Sequence, residues 1–492
     1  MRKLFGVILT LVILTGCQAE HVSVKPEVNS VYYEIFVGSY KDSDGDGMGD
    51  LQGVTESLDT LQELGVTGIW LMPISPSPTY HKYDVTDYKA IDKAYGTMED
   101  FDNLVKEMKS RDMDLIIDLV LNHSSSKHPW FLKAVSGVTN NTCDEIAECG
   151  YYNFSDSYES GYTKLNDSTY YESVFWEEMP DLNLDNESLR HEIDDIVSFW
   201  LDKGVKGFRL DATTHFYGEN LSLNVEFLDW LQTLVKSKKS DAYLVGEAWT
   251  VDSTIQEMYA SQLDSFFNFG LSQNSGKIVT AINKSDGARL AKQVYDYNQE
   301  ISNQNGQAID AVFLSNHDNN RSAGYLTTLE KQKMAASLYL LMPGNVFIYY
   351  GEELGMKGSG IDENKRLPMP WSKNPKDVTN GPSAADYTAS QPLTYEEAKK
   401  DKDSLWYHYQ KVINIRNTYS KDLARGKFNV IDMGNPAIYA LEYDNVILVH
   451  NLSEEMNTIT QDYDKINSVN GKVKKVGNTL ELSAYTTIII EK

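Results

Sequence analysis

The segment GFRLDATTH, residues 207–215, begins with the pattern of a short β-strand and ends in polar residues. Successive side chains of a β-strand point to opposite faces, so Arg209 and Asp211 share one face, while Phe208 and Leu210 face covering helices. An arginine two residues from an aspartate on one wall of a cavity keeps that carboxylate ionised and directed. Taken alone, the segment is also consistent with a structural Arg–Asp ion pair at the end of a strand.

Similar apolar runs recur along the chain and alternate with amphipathic, helix-like segments such as 54–64 and 98–111. This alternation favours a parallel sheet covered by helices. Eight such units predict an α/β fold, a (β/α)8 TIM barrel, although periodicity alone also allows an open doubly wound sheet. The other strand-like runs are 31–40, 68–73, 115–121, 242–249, 265–269, 311–315 and 346–350.

Two regions depart from the alternation. More than 80 residues separate the third strand from Gly207, and a connection of that length predicts an inserted subdomain. Beyond about residue 422, short alternating strands with Asn-Gly and Gly-Asn turns predict a C-terminal all-β sandwich. The predicted domains are a barrel at 30–123 and 186–421, a subdomain at 124–185 and the sandwich at 422–492.

The N-terminus has the pattern of an export signal. A positively charged start precedes an apolar run at 4–14, which is shorter than the ~20 residues that a membrane-spanning helix needs. The run ends in LTGC (14–17), which resembles a bacterial lipobox; an ordinary signal peptide with a chance cysteine is the alternative. We expect removal of 1–16, a lipid on Cys17, a linker at 17–29 and an exported lipoprotein, at the cell surface or facing the periplasm, anchored to a bacterial membrane.

The remaining cysteines, Cys143 and Cys149, lie six residues apart in a polar stretch. In an exported protein, this spacing favours a disulfide over two free thiols. A metal site would require further ligands, and this stretch supplies no other cysteine or histidine for that role.

The chain carries 71 acidic and 45 basic side chains, for a formal net charge of −26. Such a surface repels nucleic-acid phosphates, so we expect no nucleic-acid partner. The charge suits an enzyme that meets an uncharged substrate, and we expect a monomer.

Polar clusters also end three other predicted strands. GEAW (246–249) places Glu247 among apolar neighbours, where desolvation raises the pKa of a carboxyl group toward that of a general acid. FLSNHD (313–318) ends a later strand, and DLVLNH (118–123) ends an earlier one. The strand ends of a barrel converge on one face, where active sites lie, so these clusters predict an active site with several carboxylates.

In chain order, these four segments resemble the four signature regions of the α-amylase family of glycoside hydrolases. MPDLN (179–183) matches the fifth region, in the form found in enzymes intermediate between oligo-1,6-glucosidases and neopullulanases. The resemblance covers about residues 30 to 420. It implies that Asp211 is the nucleophile, Glu247 the acid/base and Asp318 a stabiliser of the transition state.

The resemblance also implies residues that bind substrate. HKYDVTDY (81–88) resembles a motif in which Tyr83 stacks on the sugar at the cleavage subsite, with Asp84 beside it. Arg321, three residues after Asp318, matches an arginine that often pairs with that aspartate. Three further residues are implied to bind the same sugar: His123, Arg209 and His317.

The segment DSDGDGMGD (42–50) places carboxylates at every second residue, with glycines that allow a tight turn. This spacing favours Ca²⁺, although a solvated acidic turn is the alternative. An EF-hand would need glutamate where Gly53 stands, and the loop instead resembles a calcium site after the first barrel strand of oligo-1,6-glucosidase-like members. The implied ligands are Asp42, Asp44, Asp46, the Met48 carbonyl and Asp50; a second calcium is suggested by Asn122, Asp181 and the His215 carbonyl.

Two features of the sequence bear on the type of bond that is cleaved. Ala212 resembles members that act on α-1,4 bonds, whereas relatives specific for α-1,6 bonds often carry valine there. Asp84 and Arg321 together resemble a pair that closes the site around a chain end in exo-acting glucosidases. We favour a retaining, endo-acting α-amylase on the α-1,4 bonds of starch and maltodextrins. A neopullulanase, an oligo-α-glucosidase, a transglycosylase and an inactive sugar-binding lipoprotein are the alternatives.

Overall fold

A computed structural model describes residues 24–389, 391, 393–462 and 465–492. The predicted signal peptide, Cys17 and the first part of the predicted linker therefore lie outside the described residues. Within those ranges, no helix is both long enough and apolar enough to cross a membrane.

The strands and helices of the described residues follow in chain order. The strands are β1 (Val31–Ile35), β2 (Gly68–Leu71), β3 (Asp114–Leu119), β4 (Phe154–Ser155), β5 (Tyr162–Lys164), β6 (Tyr170–Glu172), β7 (Gly207–Leu210), β8 (Phe216–Glu219), β9 (Tyr243–Gly246), β10 (Ser265–Phe266), β11 (Ala311–Phe313), β12 (Asn345–Tyr349), β13 (Asn429–Val430), β14 (Ile438–Glu442), β15 (Val446–Asn451), β16 (Asn457–Thr460), β17 (Lys465–Asn470), β18 (Val473–Val476), β19 (Thr479–Leu482) and β20 (Thr487–Glu491). The helices are α1 (Leu51–Glu56), α2 (Leu58–Leu64), α3 (Met98–Ser110), α4 (Pro129–Asn140), α5 (Glu187–Lys203), α6 (Leu221–Lys238), α7 (Asp252–Met258), α8 (Lys277–Lys284), α9 (Gly287–Gln304), α10 (Leu329–Leu340), α11 (Asp362–Lys365), α12 (Tyr395–Ala398), α13 (Leu405–Thr418) and α14 (Ser420–Arg425).

Eight parallel strands form the central sheet in the order β10-β9-β7-β3-β2-β1-β12-β11. A parallel bridge between Phe267 and Ala311 joins its two edges, so the sheet closes into a barrel. This confirms the predicted (β/α)8 barrel and excludes the open doubly wound sheet. All of these strands except β12 are shorter than the apolar runs that predicted them, because the last residues of those runs bend into the loops at the carboxyl end.

Aromatic rings fill the barrel interior. Tyr32 on β1 stacks on Phe347 of β12 at 5.1 Å between ring centroids, and Trp70 on β2 stacks on Phe267 at 5.3 Å. Side chains alternate along a strand, so Glu34 shares the inner face of β1 with Tyr32. The interior is therefore a packed core that supports the residues at the carboxyl ends of the strands.

The helix predicted at 54–64 is interrupted. It consists of α1 and α2, which meet at Ser57. The Ser57 hydroxyl donates a hydrogen bond to the Val54 carbonyl, a local bond that competes with the regular helix pattern.

The connection between β3 and β7 contains α4, the three-stranded sheet β4-β6-β5 and α5; α4 and the sheet form the predicted insertion, and α5 begins after it at Glu187. Cys143 and Cys149 form a disulfide beside α4. Gly137 of that helix packs so closely on the two sulfur atoms that a Cβ there would lie 2.4 Å from the Cys149 sulfur.

Two antiparallel sheets form the C-terminal domain: β13-β14-β15-β20-β17 and β16-β19-β18. Side chains from both sheets share one core, which contains Ile447 and Ile490 from the first sheet and Leu480 from the second. The predicted β-sandwich is therefore confirmed. The helix α14 crosses the predicted boundary at residue 422, so the first strand of the sandwich begins at Asn429.

Candidate active site

A cavity of about 350 Å³ lies where the carboxyl ends of β3, β7, β9 and β11 converge. The three predicted catalytic carboxylates line it together with residues from the loops. A larger space of about 680 Å³ lies beside the N-terminal segment, but none of the predicted catalytic or substrate-binding residues lines it. The lining of the smaller cavity consists of His81, Tyr83, His123, Phe175, Met179, Asp211, Ala212, Thr214, His215, Glu247, Trp249, Asp318, Asp362 and Arg366.

The Arg209 guanidinium joins three carboxylates beneath this cavity. Its Nη1 lies 2.6 Å from Asp118 Oδ1 and 2.6 Å from Asp211 Oδ1, and its Nη2 lies 3.0 Å from Glu247 Oε2. The register of the sheet places Asp118 opposite Arg209 on adjacent strands. One buried cation thus compensates part of the negative charge and holds Asp211 and Glu247 on the same side of the cavity.

The backbone turns sharply after Asp211. Ala212 has a φ of 49°, a left-handed conformation that is unusual for a residue other than glycine. This turn directs the Ala212 amide at Glu247, which accepts its hydrogen bond at 3.0 Å. The carboxyl group of Glu247 is therefore held by two groups: the guanidinium of Arg209 and the backbone amide of Ala212, which follows β7.

The carboxyl groups of Glu247 and Asp318 have opposite pKa shifts. Burial raises the pKa of Glu247 to about 7; Arg209 opposes the shift, and the negative charges of Asp211 and Asp318 reinforce it. Burial also acts to raise the pKa of Asp318, but His317 and Arg366 outweigh it and hold this pKa well below its usual range. Near neutral pH, Glu247 can therefore carry a proton while Asp318 is ionised.

The arginine that contacts Asp318 is Arg366, not Arg321. Nη2 of Arg366 lies 3.0 Å from Asp318 Oδ1. Arg321 is buried beside the rings of Tyr349 and Tyr350 and donates hydrogen bonds to the carbonyls of Tyr350 and Lys365. The predicted Arg321–Asp318 pair is wrong, because the backbone after β11 turns the Arg321 side chain away from the cavity and into the packing beside β12.

Asp84 does not take part in a charged pair that closes the cavity. It is fully buried and accepts hydrogen bonds from the hydroxyls of Ser77 and Thr79. Arg366 instead donates to the Tyr80 hydroxyl at 3.2 Å. The predicted Asp84–Arg321 pair is therefore absent from the described residues.

Of the other predicted sugar-binding residues, Tyr83 and His123 line the cavity, whereas Arg209 and His317 lie behind residues that line it. The Tyr83 ring lies nearly parallel to His317, and its hydroxyl is 2.8 Å from His317 Nε2. Burial lowers the pKa of His123, which favours a neutral imidazole. Among the described residues, His123 Nε2 has no hydrogen-bond partner, so it is available to a ligand in the cavity.

Two aromatic rings form the rim. Trp249, 51% exposed, lies flat against Phe269 with 5.3 Å between ring centroids. Phe175, 47% exposed, packs against His123 and His215. Sequence reasoning did not assign a role to either residue, although Trp249 stood inside the quoted GEAW segment.

The catalytic-domain profile of the α-amylase family, "Alpha amylase, catalytic domain", matches residues 34–426. The chain belongs to the α-amylase family of glycoside hydrolases. Within this family it is 38% identical to Alpha-amylase 3 of Dictyoglomus thermophilum, over 94% of this chain and 93% of that protein. It is 32% identical to a glucan 1,6-alpha-glucosidase of Streptococcus pneumoniae, over 91% of this chain and 94% of that protein. Among solved structures, Amy13B of Eubacterium rectale is similar, with a TM-score of 0.91, 40% identity and coverage of 96% and 97% of the two chains.

The acidic loop of this α-amylase-family chain has a donor set that fits a hard cation. Oxygens of Asp42, Asp44 and Asp50 lie within 4.8 Å of one another. The loop curls around these carboxylates because backbone amides of the loop donate hydrogen bonds to them. For example, the Gly47 amide donates to Asp42 at 2.7 Å. Three carboxylates around one point match the oxygen ligands that Ca²⁺ prefers.

The second group of predicted calcium ligands is only partly assembled. Asn122 donates to Asp181 Oδ1 at 3.4 Å, and the Val174 amide donates to Asp181 Oδ2 at 3.2 Å. Asp181 is buried, and no ion pair to a lysine or arginine reaches it within the described part of the chain. The predicted ligand atom of His215, its carbonyl oxygen, accepts a hydrogen bond from the Gly218 amide at 3.1 Å, and the His215 ring packs on Phe175.

Proposed function

We propose that this glycoside hydrolase is an α-amylase that cleaves internal α-1,4 bonds of starch and maltodextrins with retention of configuration. Asp211 attacks the anomeric carbon, Glu247 protonates the leaving oxygen, and Asp318 stabilises the positively charged transition state. The observation that carries the proposal is the single Arg209 guanidinium that contacts both Asp211 and Glu247. Retention requires these two carboxyl groups to lie ~5–5.5 Å apart, and a shared guanidinium supports such a short separation.

The cavity also supports endo action. A pair of opposite charges closing one end would restrict the site to a chain end, and within the described residues Asp84 forms no ion pair; its Oδ1 accepts hydrogen bonds from Ser77 and Thr79. The small Ala212 side chain lines the cavity, and the exposed face of Trp249 offers a further sugar a stacking surface. The relative from Dictyoglomus thermophilum is named an α-amylase.

Hydrolysis of α-1,6 bonds is the second candidate, since the relative from Streptococcus pneumoniae is named a glucan 1,6-alpha-glucosidase. Product analysis on amylose, pullulan and isomaltose separates the two. We expect amylose to yield maltooligosaccharides of several lengths, in the α-anomeric form when NMR spectra are recorded early. Cleavage of isomaltose without cleavage of amylose would overturn the α-1,4 proposal, and β-anomeric products would overturn retention.

The activity of this enzyme is expected to fall as the pH rises above about 7. Glu247 has a pKa raised to about 7, chiefly by burial, and only its protonated form can act as a general acid. The productive form is therefore populated below that pH and lost above it. Initial rates on maltoheptaose from pH 3 to 10, with stability checked at each pH, should give an alkaline limb near pH 7. A limb near pH 4.5, the ordinary range for a glutamate, would contradict this role.

We also propose that the acidic loop binds Ca²⁺ through Asp42, Asp44, Asp46, the Met48 carbonyl and Asp50. Since bound calcium stabilises only the folded state, treatment with a chelator should lower the Tm by about 5 °C, and added Ca²⁺ should restore it. In Asp44→Asn most of this response should disappear, whereas Asp167→Asn, on the exposed surface of the subdomain, should keep it. A Tm that does not respond to chelator in the unmodified protein would contradict the proposal.

A second calcium bound by Asn122, Asp181 and the His215 carbonyl belongs to the same proposal. Here the support is the buried Asp181 carboxylate and its contact with Asn122. Calcium counting by isothermal titration should give two ions per chain. Loss of one ion in Asp181→Asn, with the other retained, identifies this site; two ions in that variant would contradict it.

We further propose that the protein is an exported lipoprotein anchored through Cys17. Residues 24–29 lie on the barrel face opposite the cavity: the Val24 amide donates to Asn414 of α13, and Asn29 donates to Asp114 at the start of β3. Cys17 precedes Val24 by seven residues, which span at most ~25 Å. The cavity would therefore open away from the membrane. In cell fractionation, Cys17→Ala should move the protein from the membrane to the soluble fraction, and an unchanged distribution would contradict the anchor.

A further inference from the structure

Glu34 is a buried carboxylate directly below the active site, and the reaction proposed above gives it no role. It lies on β1, and its side chain is 2% exposed. The neighbouring residue Tyr33 points to the opposite side of the strand, where its hydroxyl donates to Glu353. Glu34 therefore occupies a position inside the barrel that most strands fill with apolar or aromatic side chains.

The partner of Glu34 is His317, at the end of β11. Oε1 of Glu34 lies 2.5 Å from Nδ1 of His317. On the other side of the ring, Nε2 lies 2.9 Å from Asp318 Oδ2 and 2.8 Å from the Tyr83 hydroxyl. An ionised carboxylate only accepts hydrogen bonds, so Nδ1 donates to Glu34. The Tyr83 hydroxyl donates its own proton to Asp118 Oδ2 at 3.3 Å and therefore accepts from Nε2, so the imidazole donates from both nitrogens and is positively charged.

The surrounding charges agree with this state. Burial alone would lower the pKa of His317, but the carboxylates of Asp318 and Glu34 outweigh it and raise the pKa to about 10. The remaining ionisable groups that face His317 are Tyr83 on the loop after β2, Asp118 on β3 and Arg366 after α11. Arg366 is a second cation close to His317, and the negative charges of Asp318 and Glu34 together favour the protonated imidazole beside it.

We propose that Glu34 is a positioning residue for glycoside cleavage: through Nδ1 it keeps His317 doubly protonated and oriented, so that Nε2 holds Asp318 beside the reacting sugar. Glu34 itself touches no substrate. The inference goes beyond the proposed linkage specificity, because Asp318 is needed whichever α-glucosidic bond is cleaved. It applies to hydrolysis by this chain on any substrate that the unmodified enzyme accepts.

The variant Glu34→Gln tests this role, because it removes the charge and keeps the shape. We expect kcat to fall about tenfold, with KM changed less than kcat. This is the change in rate that corresponds to a difference of one pKa unit in the interaction of Glu34 with the His317 imidazole. The alkaline limb of the pH profile should move to lower pH and become steeper, because His317 now loses a proton in the same range as Glu247.

Histidine labelled with ¹⁵N in the ring reports the protonation state directly. The signals of His317 are assigned by their loss in His317→Gln. In the unmodified protein both ring nitrogens should be protonated at pH 8, and in Glu34→Gln one should be deprotonated. In the His317→Gln background, adding Glu34→Gln should change kcat by less than about twofold, because Glu34 acts through the imidazole.

Glu353→Gln is a matched control, since Glu353 is another buried glutamate, bonded to Tyr33 on the outer side of β1. It should lower the Tm without moving the pH profile or the His317 signals. The proposal is overturned if Glu34→Gln behaves in the same way as this control. It is also overturned if His317 of the unmodified protein carries a single ring proton at pH 8, a measurement that does not depend on whether the variant folds.

Discussion

Replacing Asp211 by asparagine is expected to lower kcat on starch by about 10⁴-fold or more while leaving the fold intact. An amide oxygen cannot form the glycosyl-enzyme bond, so the first step of the retaining reaction is blocked. The side chain of the same size can still accept a hydrogen bond from Arg209, which now contacts Asp211 at 2.6 Å. Release of reducing ends from starch measures the activity, and near-UV circular dichroism measures the tertiary packing.

Asp310→Asn provides a matched control for this experiment. Asp310 is also buried, but it precedes β11 at the opposite end of the barrel and accepts hydrogen bonds from Asn268 and Asn298. This variant should lose stability and keep most of its kcat. A folded Asp211→Asn enzyme that still hydrolyses starch at a substantial rate would contradict the assignment of the nucleophile.

The second large effect is expected from Glu247→Gln. On maltooligosaccharides kcat should fall by about 10³-fold, because glutamine cannot protonate the leaving oxygen. On α-maltosyl fluoride the loss should be far smaller, since fluoride departs without a proton. The alkaline limb near pH 7 should also disappear from the pH profile measured with the fluoride.

The comparison between the two substrates distinguishes the loss of a general acid from a distortion of the cavity. A variant whose cavity has been distorted would lose activity on both substrates to the same extent. Equal losses, or a retained alkaline limb near pH 7, would therefore show that Glu247 is not the general acid.

The positions of the three carboxylates proposed to be catalytic could be predicted from the sequence because they follow strands directly. In a closed barrel the carboxyl ends of parallel strands meet, so Asp211, Glu247 and Asp318 gather on one face once the strands are recognised. The same reasoning placed Arg209 correctly, since strand alternation alone puts it on the face of Asp211.

The residues that were missed or misplaced lie in loops or were hidden inside an apolar run. Arg321 stands near Asp318 in sequence, but its guanidinium packs on Tyr349 and Tyr350. Arg366, which does contact Asp318, comes 48 residues later, in a loop that no periodic pattern describes. Glu34 stood within a predicted strand rich in apolar and aromatic residues, and nothing in that pattern indicated a partner.

By itself, the sequence determined the strand–helix alternation of this protein, and with it the barrel and the carboxylates gathered at the strand ends, because these depend on local periodicity. The tertiary structure alone decided which arginine contacts Asp318 and that His317 lies between Glu34 and Asp318. Glu34 and His317 are 283 residues apart in the chain. The strength of a charge interaction depends on distance and burial, and both are set by how remote segments pack together.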